Sequence, residues 1–196
     1  MPLLRKMLNR AGTELKANSK YLCELDSVAG DGDHGITIGR MADVMKEKTE
    51  DTTIDTMRVL LDELGDAFMG INGGSAGPLW GTVFTGMAEG IDDQAELTDL
   101  ELRKMFTQAK EDFMDISKAK PGDKTMVDAL YPAIDAIIET QGSLKEIMTA
   151  AAAAADAGAE QTSTMVARFG RAKNMGERSI GTKDPGAVSI AILFNG

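Results

Sequence analysis

One cysteine in 196 residues, Cys23, excludes an intrachain disulfide, so the chain tolerates a reducing compartment. No apolar run approaches the ~20 residues that a membrane span needs. Met1 to Met7 carry two basic side chains with no apolar stretch behind them, which predicts no signal peptide. Basic residues are in the minority: 21 Lys and Arg against 31 Asp and Glu give a net charge of −10. That balance argues against nucleic acid and against an anionic membrane surface as partners. An anionic ligand would need local help from a metal, an arginine or helix N-termini. The cytoplasm is the expected location. Aromatic residues make up only 5%, and β-branched alternation is almost absent, which argues against a fold built on sheets.

Ala, Leu, Met, Glu and Lys dominate instead, and these are helix formers. With 43% hydrophobic residues the chain is globular and long enough for a sizeable core. The pattern predicts eight helices, over about 2–22, 35–48, 54–71, 75–91, 98–117, 123–140, 143 to beyond the alanine run 150–155, and a short last one from 184. Asp51-Thr52-Thr53 is the expected cap region of the third, and Thr98 caps the fifth. Ser143 with Glu146 forms a capping box, and Asp184-Pro185 pairs a cap with a first-turn proline. The alanine run predicts a close helix–helix contact. No linker or repeat divides the chain, so a single all-helical domain over 1–196 is expected.

The loops carry the chemistry. In Leu25-Asp26-Ser27-Val28-Ala29-Gly30-Asp31-Gly32-Asp33-His34-Gly35, three carboxylates fall within eight residues. Two like charges ~4 Å apart cost roughly 4 kcal/mol at an effective dielectric of about 20, and a hard divalent cation removes that cost. Oxygen-only ligands favour Mg²⁺ or Ca²⁺ over zinc. The other reading is a solvated acidic turn with Asp33 capping the next helix. An EF-hand fails, because its fifth and twelfth positions fall on Gly35 and Ala42. Mg²⁺ fits better, since it completes its shell with water and substrate phosphates, and the glycines let a backbone approach a phosphate. His34, the only histidine, either donates to a phosphate or satisfies a local hydrogen bond.

Gly73-Gly74-Ser75-Ala76-Gly77 precedes a helix, so its backbone N–H groups either hold a phosphate or simply turn the chain. Gly122-Asp123-Lys124-Thr125 is not a P-loop, because Asp123 separates Gly from Lys and Ser117 stands where the first glycine belongs. Arg168, Arg171, Lys173, Arg178 and Lys183 lie within 16 residues, as a solvated basic loop or as an anion clamp. In up-and-down topology the loops after helices 1, 3, 5 and 7 share one end, and these are those four loops. Co-location turns four weak signals into one candidate site.

LDSVAGDGDHGITIGR, GGSAGPLWGT, PGDKTMVDAL and ARFGRAKNMGERSIGTKDPGAVS, in this order, closely resemble the nucleotide-binding L subunits of dihydroxyacetone kinases. The resemblance implies an eight-helix antiparallel up-and-down barrel with ADP or ATP and two Mg²⁺ at one end. It implies Asp26, Asp31 and Asp33 as metal ligands, and His34, Gly35, Ile36 and Thr37 along the phosphates. Ser75 and Ala76 would meet the nucleotide from the glycine loop, with Ala119 in the pocket and Met126 near the base. Arg171 and the turn of Asp184, Pro185 and Gly186 would close the site; in the anion-clamp reading of the basic segment, Arg171 or Arg178 would neutralise charge on a transferred phosphoryl group. The implied partners are a K subunit holding dihydroxyacetone and a phosphotransferase-system M subunit that rephosphorylates bound ADP. The related domain of fatty-acid kinases carries DGDTG where this chain has DGDHG.

Three features depart from the family pattern. The glycine loop reads Ser75-Ala76 rather than Ala-Ser or Ser-Ser. The 118–121 loop is about two residues short, with Ala119 where glycine is common. The sequence ends early in the last helix, which predicts a weaker barrel closure. A chain carrying only the L part favours the phosphoryl relay through bound ADP. The alternatives are an ATP-dependent triose or tetrose kinase subunit and a nucleotide-dependent regulatory module.

Overall fold

Asn18 breaks the first expected helix into α1 (Pro2–Ala17) and α2 (Ser19–Asp26). Its side-chain amide donates to the Glu14 carbonyl at 2.9 Å, and the Ser19 hydroxyl donates to the Lys16 carbonyl at 2.9 Å. Both side chains occupy carbonyls of the last turn of α1, a local competition that carries no Gly or Pro signal. The computed structural model describes residues 1–93 and 95–196; Gln94, in the loop expected at 92–97, lies outside them.

The remaining helices are α3 (His34–Glu50), α4 (Met57–Met69), α5 (Ala76–Glu89), α6 (Asp99–Ile116), α7 (Val127–Glu139), α8 (Leu144–Gln161) and α9 (Pro185–Asn195). With α1 and α2 taken as one broken rod, eight rods are present among the described residues. Each packs on the next in sequence, and α9 packs back on α1 and α8. The packing of α9 on α1 closes the ring. Gly196 sits so near Ala11 of α1 that an added Cβ would approach the Ala11 nitrogen to 2.7 Å.

Two other boundaries moved. α4 starts after Thr56, whose hydroxyl accepts from the Val59 N–H, because the Asp51 carboxylate is engaged by the Thr53 N–H and hydroxyl in a turn of its own. α7 starts at Val127, because Gly122 and Lys124 both have positive φ and hold 122–126 out of the helix. The segment expected as a basic loop holds a 3₁₀ run over Arg171–Ser179.

The ring encloses an apolar core. Phe68 of α4 stands edge-on to Trp80 and Phe84 of α5, with centroids 6.4 and 5.0 Å away. Such pairs add about 0.5–1.5 kcal/mol each beyond burial. Ala151, Ala155, Gly158 and Ala159 form the buried stripe of α8 against α7. Pro132 in α7 cannot donate to the Asp128 carbonyl, and a Cβ at Gly158 would overlap that carbonyl oxygen. Ala151 and Ala155 of the alanine run lie on this buried stripe, and the close approach falls at Gly158, just beyond the run.

Candidate functional site

The two ends of the ring are capped differently. At one end three helices start with side-chain caps: Thr56 on α4, Thr98 on α6, and the complete Ser143–Glu146 capping box on α8. At the other end α3, α5 and α7 start at Asp33, Ser75 and Met126 with no side-chain bond from the capping residue. α9 is capped there by its own N-cap residue, Asp184, which accepts from the Ala187 N–H at 2.7 Å. An uncapped N-terminus leaves donors and the positive end of the helix dipole available to an anion. All four sequence-flagged loops lie at this end.

Asp26, at the end of α2, reaches across the acidic loop. Its Oδ2 accepts from the N–H groups of Asp33 and His34 at 3.1 and 3.3 Å. The expectation that Asp33 itself caps α3 does not hold, since Asp26 does so. One oxygen each of Asp26, Asp31 and Asp33 lies within 4.8 Å of the others. This is an oxygen-only, open-sided donor set of the kind that suits Mg²⁺ with water and phosphate completing its shell. Asp31 also forms an ion pair with Arg171, which crosses from the 3₁₀ segment.

His34 lies behind this cluster. Its Nε2 is 3.2 Å from the Ser189 hydroxyl, which itself donates to the Gly186 carbonyl at 2.8 Å, so Nε2 is assigned as the donor. Burial lowers the imidazole pKa, opposed by the Asp26 carboxylate and the Pro185 carbonyl. The imidazole makes a local hydrogen bond that ties α3 to α9.

The four loops surround a cavity of about 540 Å³. Asp26, Asp31, Asp33, His34, Ser75, Ala76, Ala119, Met126, Arg171, Asp184, Pro185 and Gly186 all line it. Gly35, Ile36 and Thr37 do not. Gly35 is buried against α2, Ile36 is 53% exposed, and Thr37 packs under Gly73. Apolar walls come from Leu79 and Trp80 of α5, Phe113 of α6 and Val127 of α7, which have no polar signature in sequence and were missed.

Two charged groups of this end also escaped sequence reasoning. Asp128 is buried and accepts from the N–H groups of Gly122 at 2.5 Å and Thr125 at 2.8 Å, shaping the turn before α7. Lys124 is buried in the cavity wall with its ammonium on main-chain carbonyls. Desolvation pushes Asp184 up to about 7, and Asp128 adds to the rise, while the Ala187 N–H and Lys124 oppose it.

Because the unfolded carboxyl has a pKa near ~3.9, the folded state binds more protons between about pH 4 and 7. Stability from this group is complete below pH ~4 and is lost as pH rises through about 7. Asp184→Asn keeps a competent helix cap without the ionisation. Urea unfolding of ligand-free protein should find the two proteins closer at pH 5 than at pH 8. At pH 8 the variant should be the more stable, by a few kcal/mol at most. A gap independent of pH would contradict the assignment.

Comparison with known proteins bears on the same end of the ring. The DAK2 domain model matches residues 28–196. The chain belongs to the DAK2 domain family. Within that family it is 35% identical over 190 residues to the PEP-dependent dihydroxyacetone kinase ADP-binding subunit DhaL of Escherichia coli, covering 95% of this chain and 90% of that one. It is 36% identical over 195 residues to the L-erythrulose kinase of Pectobacterium atrosepticum, of which it spans only 33%. The crystal structure of the dihydroxyacetone kinase from C. freundii, in complex with AMP-PNP and Mg²⁺, superposes with a TM-score of 0.77 at 26% identity. That match covers all of this chain and 33% of the other. Among the described residues no helix is long and apolar enough to cross a membrane.

Proposed function

We propose that this chain, read as one domain over 1–196, is the Mg-ADP-carrying subunit of a dihydroxyacetone kinase in the cytoplasm. In this reading a phosphotransferase-system M subunit feeds it, and it relays the phosphoryl group to dihydroxyacetone held on a K subunit. The observation that carries the reading is the convergence of the Asp26, Asp31 and Asp33 oxygens with Arg171 on one cavity that the uncapped N-terminus of α5 also faces. The relay form is supported by the DhaL subunits of Escherichia coli and of Lactococcus lactis, the latter named PTS-dependent and 32% identical over 188 residues.

The three aspartates would hold two Mg²⁺, which supply charge neutralisation at the phosphate oxygens. The remaining work falls to the chain. The uncapped N-terminus at Ser75 and Ala76 offers backbone donors to the phosphates. Leu79, Trp80, Phe113 and Met126 give the base an apolar wall and exclude water. Arg171, on leaving Asp31, brings a permanent cation to the charge that develops on the transferred group. The exposed Val28, Ile116, Phe169 and Ile180 belong to this same end and suit contact with a partner subunit.

Native mass spectrometry of protein purified without added nucleotide tests the reading. Retained ADP that becomes ATP on exposure to a phosphorylated M subunit is the expected result. Protein that binds no Mg-ADP at micromolar concentration would overturn the nucleotide assignment. Multiple turnovers with ATP alone would replace the relay by an ATP-dependent cycle.

A further inference from the structure

Lys124 is an unusual residue in this wall. It is a non-glycine residue with φ of 59°, in the left-handed region, and the residue is only 4% exposed. Both features are unfavourable for lysine unless the surroundings fix them. No carboxylate lies within ion-pair distance of it among the described residues. Its ammonium instead donates to the carbonyls of Ser179 at 2.5 Å, Thr182 at 2.6 Å and Met165 at 3.4 Å. These satisfy its three donors with neutral main-chain oxygens.

All three carbonyls flank one excursion of the chain, the segment that carries Arg171. Met165 precedes it, and Ser179 and Thr182 end it. The other ties are also at its base. The Ala167 N–H donates to the Ser179 hydroxyl at 2.9 Å, the Gly181 N–H to the Ser163 carbonyl at 2.7 Å, and the Arg168 N–H to the Asp123 carbonyl at 3.1 Å. Above the base, Gly170 precedes the run and Gly176 kinks it from within, both with positive φ and with open space where a Cβ would be. The placement of Arg171 therefore depends on how firmly the base is held.

We propose that Lys124 is a positioning residue for phosphoryl transfer, clasping the base of the Arg171 segment through three main-chain carbonyls so that the guanidinium faces the acidic triad. This rests on the role assigned above to Arg171. Lys124 does not act on the phosphates itself, because its donors are spent on carbonyls.

The test is a double-mutant cycle in single-turnover transfer from Mg-ATP to a dihydroxyacetone-loaded K subunit. Lys124→Met should slow transfer by at least about tenfold, as misplacement of a catalytic group does, while Mg-ADP affinity by calorimetry stays within about threefold. In the Arg171→Ala background, Lys124→Met should cost less than about twofold. Trypsin should cut after Arg171, Lys173 and Arg178 faster in Lys124→Met than in wild type. Lys124→Gly, which removes the amine while relaxing the left-handed backbone, serves should the methionine variant not fold. Equal losses in both backgrounds, or unchanged tryptic rates, would overturn the positioning role of Lys124 alone. If Arg171→Ala leaves transfer unchanged, the reading of Arg171 falls and this proposal with it.

Discussion

Asp31→Ala is expected to abolish the stabilisation that Mg-ADP confers on this protein, with little change in the melting temperature of the ligand-free form. Asp31 is exposed, and its one ion pair, with Arg171, is also in solvent, so screening leaves little stability to lose. Its oxygen is nonetheless one of three within 4.8 Å of one another. Removing it leaves the site short of a ligand and faces bound phosphates with two carboxylates that lack full neutralisation. For wild type, ligand at a hundred times Kd contributes ~2.7 kcal/mol, which corresponds to a rise of about 5–10 °C at this chain length. The variant should show no such rise. Asp26→Ala should differ in one respect. Asp26 also accepts from the N–H groups of Asp33 and His34, so its loss removes the cap of α3 and costs about 1 kcal/mol even without ligand. Differential scanning fluorimetry with and without Mg-ADP, alongside calorimetric titration, reads both effects. Wild-type affinity in Asp31→Ala would mean that the acidic cluster is only a solvated turn.

The carboxylates were visible because three acids between glycines are costly without a cation, whatever the fold. Their division of labour was not. Asp33 occupies the position from which a side chain normally caps a helix, yet the cap comes from Asp26, seven residues earlier, because α2 ends beside the start of α3. The face of Gly35 where a side chain would stand is packed on α2, a contact that the local pattern of glycines does not encode. Lys124 looked like a failed P-loop lysine. Its role depends on carbonyls 41, 55 and 58 residues away, which no local pattern encodes.

The fold was legible for a related reason. Caps at Thr98, Ser143 and Asp184 are local chemistry, and all three form the bonds expected of them. The first helix misled because its break uses side-chain bonds from Asn18 and Ser19 to carbonyls three and four residues back, a competition open to many polar residues inside unbroken helices. The helix ends moved where a turn drew on the residues taken for caps, as Asp51 and Thr53 do before α4. Counting rods survived these shifts, and the co-location of the four loops needed only the count.

Gly35→Ala should be the most damaging single-methyl change near the site. A Cβ at Gly35 would overlap the Ser19 carbonyl oxygen and come within 2.8 Å of the Cys23 nitrogen and sulfur. The first two are backbone atoms of α2, so no side-chain rotation relieves them, and α2 must move away from α3. Overpacking of this kind costs about 1–3 kcal/mol or more, and the added helix propensity of alanine, about 1 kcal/mol, offsets only part of it. A fall in melting temperature of roughly 5 °C or more is expected. Binding should suffer further, since Asp26 sits at the end of α2 and Asp33 at the start of α3, so the displacement separates two members of the triad. Gly70→Ala is the matched control. Its Cβ would meet nothing nearer than the Ala67 carbonyl at 3.5 Å, and its φ of −78° suits any residue. Thermal melts and Mg-ADP titrations of the two variants should therefore diverge, with Gly35→Ala losing stability and affinity together and Gly70→Ala losing neither. Equal behaviour would show that α2 and α3 can separate without disturbing the acidic loop.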